Sequence, residues 1–221
     1  MIPIRDQIKT RKTPIINYLL ITANILVFVL QWMAGSTSDQ LMLIPANFLA
    51  APLNPTNVLD IFTSMFMHAG LFHLGGNMLY LWIFGDNVED RMGSIPYLIF
   101  YLIGGIFATL AHIFTNPGST VPVVGASGAI AAVLGAYLVL YPQSRILTFI
   151  PIGFLMRLRL VPAIIVLGLW FILQLFNGVL SLGQVQGGGT AFWAHIGGFV
   201  AGIIMGRFFK DRRQPVPRQR W

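Results

Sequence analysis

The chain has no cysteine, which excludes disulfides, a thiol nucleophile and cysteine-held metals. Charge is almost as scarce, with only 10% of the 221 residues being Asp, Glu, Lys or Arg. Acidic residues are the rarer sign, 7 against 14 basic ones. No H-E-x-x-H pair of metal ligands occurs, and no long-period repeat marks a second domain. What fills the chain instead is apolar: 56% hydrophobic residues and a mean hydropathy of +0.74. That balance excludes an ordinary soluble core and indicates an all-α polytopic membrane protein.

The apolar runs divide the chain into six expected transmembrane helices, over about 17–34, 71–88, 95–115, 127–141, 161–180 and 191–209. Residues 1–14 form a basic arm with Arg5, Lys9, Arg11 and Lys12. Arm plus apolar run has the make-up of a signal peptide, but the run is read as the first span of the mature protein. Between the first two spans, residues 41–51 are too apolar for a solvated loop and are read as a partly embedded interfacial segment. The connection 142–160 is also partly apolar, a glycine-rich loop fills 183–189, and 210–221 is a basic, disordered tail. The domain organisation is thus an arm over 1–14, a six-helix membrane domain over 15–209 and a tail over 210–221.

Orientation follows from the cations. With the N-terminus in the cytoplasm, the inner segments are 1–16, 85–94, 142–160 and 207–221, and they hold all 14 Lys and Arg residues. The outer loops hold none. Both termini are therefore expected in the cytoplasm. The net charge of +7 then faces an anionic bilayer surface, and nucleic acid is not an expected partner.

Against this background a few polar residues stand out. Ser127 sits in Val123-Val124-Gly125-Ala126-Ser127-Gly128-Ala129, where an apolar loop turns into a short helix ending before Pro142. That helix is about 24 Å long against a hydrocarbon core of about 30 Å, so Ser127 starts it below the outer face. Irregular backbone at that depth must line a cavity or be covered by protein. His73 and Asn77 form an i, i+4 pair near the outer start of the second span. His195 lies near the outer start of the sixth. Helix rise puts these four within roughly 10 Å of one another in depth.

Small residues indicate which helices meet. His195, Gly198, Gly202 and Gly206 share a face of the sixth helix, and Ser127, Ala131 and Gly135 share a face of the fourth. Packing on those faces puts Ser127 beside His195, where an imidazole takes the hydroxyl proton and makes serine a nucleophile. Outside, the only carboxylates are Asp39 and Asp60 in the first loop, and there is no lysine. A Ser-His dyad remains, without a third charged member. Free N–H groups at the helix start, with His73 and Asn77, are candidates to hold an oxyanion. Each residue also has a structural reading: a serine bonded to its own helix, a buried histidine, an asparagine bridging two helices. His68 and His112 are read that way. Other readings stay open: a polar transport path lined by His73, Asn77 and His195, and a zinc site of His68, His73 and His195.

The motifs together resemble the rhomboid intramembrane serine proteases. The residues that carry the resemblance are His68 and His73-Leu74-Gly75-Gly76-Asn77, Gly125-Ala126-Ser127-Gly128, and Ala194-His195-Ile196-Gly197-Gly198 with Gly202. The segment Phe84-Gly85-Asp86-Asn87-Val88-Glu89-Asp90-Arg91-Met92-Gly93 also looks like the loop after the family's second core helix. The resemblance implies a six-helix rhomboid-like bundle. Ser127 would be the nucleophile and His195 the base, with His73 and Asn77 at the oxyanion and Gly125, Gly128, Gly198 and Gly202 supporting the packing. It further implies cleavage of transmembrane protein substrates near the outer face, reached beside the fifth helix, with no metal and no cofactor. The compact form implies a prokaryotic plasma membrane enzyme. A catalytically inactive rhomboid-like binding or chaperone protein is the alternative within the same family. One departure is visible: the aromatic residue often found a turn after the serine is Ala131 here, so His195 needs a different ring neighbour.

Overall fold

Helices form where the apolar runs are long and free of breakers. The computed structural model describes residues 1–152, 155–182 and 190–210. Helix α1 (Ile15–Ala34) begins after Pro14 and ends at Gly35, followed by a 3₁₀ segment, Gly35–Leu41. Two short helices, α2 (Pro45–Ala50) and α3 (Pro55–Thr63), each open on proline, whose missing N–H costs nothing in a first turn. Helix α2 lies within the segment 41–51 read as interfacial, and α3 follows it. Helix α4 (Leu71–Tyr80) runs through a wide π segment (Leu81–Gly85) into α5 (Asp86–Met92), so the second helix extends beyond its expected end. Then come α6 (Ser94–Thr115), α7 (Ser127–Leu140), α8 (Ala163–Ser181) and α9 (Phe192–Arg207).

The protein is mostly helical, and among the described residues three segments are long and apolar enough to cross a bilayer: Ile15–Leu41, Ser94–Thr115 and Ala163–Ser181. Helix α7 has 14 residues, about 21 Å, and is the centre of the bundle. Residues 128–137 are buried on every side. Glycine and alanine at 128, 129, 131, 132, 135 and 136 make this possible, since their small side chains let neighbouring backbones close in.

The expectation of an all-α chain is corrected by a three-stranded antiparallel sheet. It comprises β1 (Ile2–Asp6), β2 (Arg145–Ile152) and β3 (Leu155–Pro162), in the order β1-β2-β3. Strands β2 and β3 form a hairpin in which Thr148 faces Arg159, while β1 pairs on the other side of β2 with Asp6 opposite Ile146. Alternation explains it: Ile146 and Thr148 are buried and Arg145 is exposed, a period of two that a connecting loop does not need. Short apolar runs are ambiguous between buried strand and interfacial segment until a partner strand is seen. The arm expected over 1–14 is therefore partly structural, since its first residues complete the sheet. The glycine-rich loop over 183–189, and the basic tail beyond Lys210, lie outside the described residues.

The sheet end of the molecule is tied together by two carboxylates, Glu89, which is buried, and Asp6, which is partly buried. Glu89 of α5 accepts the Ile16 and Asn17 N–H groups at 3.1 and 2.7 Å and the Ser94 hydroxyl at 2.6 Å. It thus caps α1, whose own N-cap is a proline without a side-chain acceptor. Asp6 accepts from Tyr137 Oη at 2.6 Å and Asn87 Nδ2 at 2.9 Å, linking β1 to the far end of α7.

Candidate active site

Helix α9 meets α7 along a ladder of small residues. A side chain added at Gly198 would run into the Gly128 carbonyl, one at Gly202 into the Ala132 carbonyl, and one at Gly206 would lie 3.0 Å from the Ala136 Cα. The two backbones are thus in direct contact. The contacting face of α7 is Gly128, Ala132, Gly135 and Ala136: the expected Gly135 is on it, while Gly128 and Ala132 take the places expected for Ser127 and Ala131. Ser127 consequently sits at the edge of this contact and turns its hydroxyl toward the side of α9 that carries His195.

The loop leading into Ser127 is held by backbone hydrogen bonds. Val123 N–H donates to the Leu43 carbonyl at 2.7 Å, and Gly125 N–H to the Ser64 carbonyl at 2.9 Å. Gly125 has φ of 121°, which L side chains rarely adopt, and a Cβ there would lie 2.7 Å from His73 Cε1. The glycine is required twice, for its backbone conformation and for the ring that lies over it.

Ser127 Oγ lies 2.8 Å from His195 Nε2, and His195 Nδ1 lies 2.8 Å from Gln174 Oε1 of α8. The imidazole is buried and has Trp170 of α8 at 5.8 Å between ring centroids, tilted by 34°. Trp170 supplies the ring neighbour that Ala131 does not. A cleft of about 220 Å³ opens onto Ser127 and His195 and is lined also by His73, Asn77, Tyr80 and Trp170. Asn77 is buried, and its Nδ2 has no hydrogen-bond partner among the described residues. A buried donor left free beside a cleft is costly unless something else fills the cleft.

The histidines divide into two groups. His73 accepts the Ala69 N–H at 3.4 Å and packs edge-on against His68 at 5.1 Å. His68 is anchored by Gln31 of α1, which exchanges hydrogen bonds of 3.0 Å with its backbone N–H and carbonyl. His195 engages Ser127 and Gln174 through its two ring nitrogens and lines the same cleft as His73. Among the described residues no three His, Asp or Glu side chains gather as a metal-ligand set. Asp39 is exposed in the 3₁₀ segment and Asp60 is buried in α3. Gly197, which the helical wheel separates from the α7 contact, is packed as well: a Cβ there would collide with Ala111 of α6.

Two residues beside His195 escaped the sequence reading, Gln174 and Trp170. A signal for the first was present. Gln174 is an uncharged polar residue in the middle of an otherwise apolar fifth run, and such residues usually face a protein interior. Its partner, however, is distant in sequence and could not be identified from one chain alone.

Residues 55–212 match the family model described as the Rhomboid domain. Rhomboid protease GluP of Bacillus subtilis is 30% identical over 194 residues, 87% of this chain and 35% of that protein. Rhomboid protein 1, mitochondrial, of Saccharomyces cerevisiae is 29% identical over 171 residues, 75% of this chain and 45% of that protein. Human presenilin-associated rhomboid-like protein, mitochondrial, is 30% identical over 135 residues, 60% of this chain and 35% of that protein. The chain thus matches less than half the length of each of these relatives. With a matched domain covering most of its length and three apolar spans among its helices, the chain is a membrane protein of the rhomboid family.

Proposed function

We propose that the chain is an intramembrane serine endopeptidase that cleaves transmembrane protein substrates with Ser127 and His195. The observation that carries this is the 2.8 Å approach of His195 Nε2 to Ser127 Oγ beside a cleft. A base within hydrogen-bond reach of the hydroxyl is what nucleophilic serine requires. In the reaction His195 Nε2 takes the Oγ proton while Oγ bonds to the scissile carbonyl carbon. Negative charge then develops on the carbonyl oxygen. Asn77 Nδ2, without a partner among the described residues, His73 and the N–H groups at the start of α7 are the donors for it. The imidazolium returns its proton to the leaving nitrogen, and the peptide bond breaks to give an acyl-serine. Water, deprotonated by the same nitrogen, releases the second product. No metal or cofactor enters these steps.

The fuller topology belongs to this proposal. Six spans, α1, α4 with α5, α6, α7, α8 and α9, put both termini and all basic residues on the cytoplasmic side. The site then opens below the outer face. The compact helical core and the similarity to a Bacillus subtilis protein support a prokaryotic plasma membrane, although two of the relatives named above are mitochondrial.

The test is cleavage by the purified chain, reconstituted in liposomes, of a panel of single-span proteins. The wild type is expected to cut at least one and to react with a fluorophosphonate, while Ser127→Ala does neither and remains folded. Cleavage or labelling that persists in Ser127→Ala overturns the assignment. A folded wild type that binds such proteins without cutting them or reacting with the probe supports the inactive binding role.

A further inference from the structure

Neutral imidazole has one N–H and one lone pair, and which nitrogen carries the proton is set by what the other nitrogen meets. His195 can accept the Ser127 proton only if Nε2 holds the lone pair. We propose that Gln174 is a positioning residue that selects this tautomer, its Oε1 accepting the Nδ1–H of His195. The proposal rests on the reading of Ser127 and His195 as nucleophile and base.

Three features of α8 support it. First, Trp170, Gln174 and Gly178 follow one another at intervals of four and form one stripe facing α9. Trp170 lies against the His195 ring, and the Gly178 carbonyl accepts from Trp193 Nε1 at 3.1 Å. Gln174 is therefore bracketed by contacts a turn away on either side, and its amide is held at the height of the imidazole. Second, the other amide on this stretch is used differently. Asn177 Nδ2 donates to the Leu173 carbonyl at 2.8 Å, within its own helix. Gln174 instead directs its carbonyl across to α9. Third, no carboxylate hydrogen-bonds to His195 among the described residues. A carboxylate at this depth would be an uncompensated charge in an apolar surrounding, whereas a carbonyl dipole orients the ring without one.

The opposite tautomer would turn the Nδ1 lone pair toward the Gln174 carbonyl and an N–H toward Ser127 Oγ. With the Gln174 amide oriented as it is, two acceptors would then face each other, and Nε2 would have no lone pair to take the hydroxyl proton. During the reaction the same carbonyl keeps accepting from Nδ1–H as the ring becomes positive, a contact that strengthens with charge.

The experiment measures the tautomer and the rate separately. Protein labelled with ¹⁵N-histidine in detergent micelles is compared with its His195→Asn variant to assign the ring nitrogens. The wild type is expected to show protonated Nδ1 and bare Nε2. Gln174→Leu, close in size and without an acceptor, should give a mixture of tautomers. Its kcat should fall about tenfold with KM unchanged, the scale of one lost hydrogen bond. Gln174→Met serves as a second apolar replacement if the leucine variant does not fold. Gln174→Glu, a neutral carboxyl at this depth, keeps a carbonyl acceptor and should restore the Nδ1–H signal together with most of kcat, a joint rescue that a mere packing role does not predict. Wild-type His195 protonated on Nε2, or apolar variants with an unchanged tautomer, overturns the proposal. A tautomer that shifts as expected in a protein that cuts no substrate leaves the role of Gln174 standing and removes the protease reading instead.

Discussion

Gly198 of α9 lies with its Cα against the carbonyl oxygen of Gly128 in α7, so the two helices touch backbone to backbone one turn from the Ser127–His195 pair. Gly198→Val would force them apart at that point. A displacement of about 1 Å at reacting groups can cost about 10²-fold in rate. Cleavage should fall by that order at a temperature where the variant is still folded. Gly197→Val is the comparison. It meets Ala111 of α6, so it should also lower thermal stability, by about 1–3 kcal/mol as overpacking does. Its effect on cleavage by folded protein should be smaller, because it strains a different interface. Equal loss of kcat from the two would show that the α7 contact does not set the geometry of the pair.

Gly125 is another position where a side chain has no room. Gly125→Ala introduces a Cβ at φ of 121° and pushes on the His73 ring. Backbone strain of this kind costs about 1–3 kcal/mol. Thermal unfolding should reveal that loss, and fluorophosphonate labelling should slow. Gly75→Ala is the control, a glycine within α4 that has open space around it. It should be neutral, or stabilise by about 0.5–1 kcal/mol through helix propensity. A Gly125→Ala protein as stable and as reactive as wild type would mean that the loop before Ser127 is not held as described.

Asn77 has a buried Nδ2 with no partner among the described residues. If that donor serves the oxyanion, its benefit appears in the transition state. Removing one such donor costs about 10²–10³ in kcat in a soluble serine protease, and His73 with the α7 N–H groups should soften the loss. Steady-state kinetics of Asn77→Ala should show a lowered kcat with KM nearly unchanged. A raised KM with normal kcat would assign Asn77 to substrate binding.

Asp6 provides a pH dependence far from the site. Burial raises its carboxyl to about 6, against the pull of the Tyr137 hydrogen bond. An unfolded Asp titrates near 3.9, so the folded protein holds the proton more tightly. Its contribution to stability is full below about pH 4 and is lost as pH rises through about 6, an effect of about 2–3 kcal/mol. The unfolding temperature should therefore rise as pH is lowered from 7.5 toward 5. Asp6→Asn, which keeps an acceptor for Tyr137 Oη without a charge, should reduce that rise. An identical pH profile in the variant would assign the dependence to other groups.

Some of this was written in the order of residues. Complete segregation of cations, apolar runs of span length and small residues at every fourth position of α9 are local properties, and one chain displays them without a partner. They were enough to expect a membrane bundle with Ser127 beside His195, because helical periodicity turns spacing into a face. Other features depend on which segments meet. The sheet needed residues 2–6 to find 145–152, and neither stretch shows its partner in its own pattern. The faces of α7 could be assigned only to within one residue, since that helix is small and apolar all round and carries almost no periodic signal. Gln174 was visible as a polar residue in an apolar run. Only the packing of α8 on α9 brings its carbonyl to His195 Nδ1, because a hydrogen bond needs a partner at 2.8 Å and no residue near it in sequence is that partner.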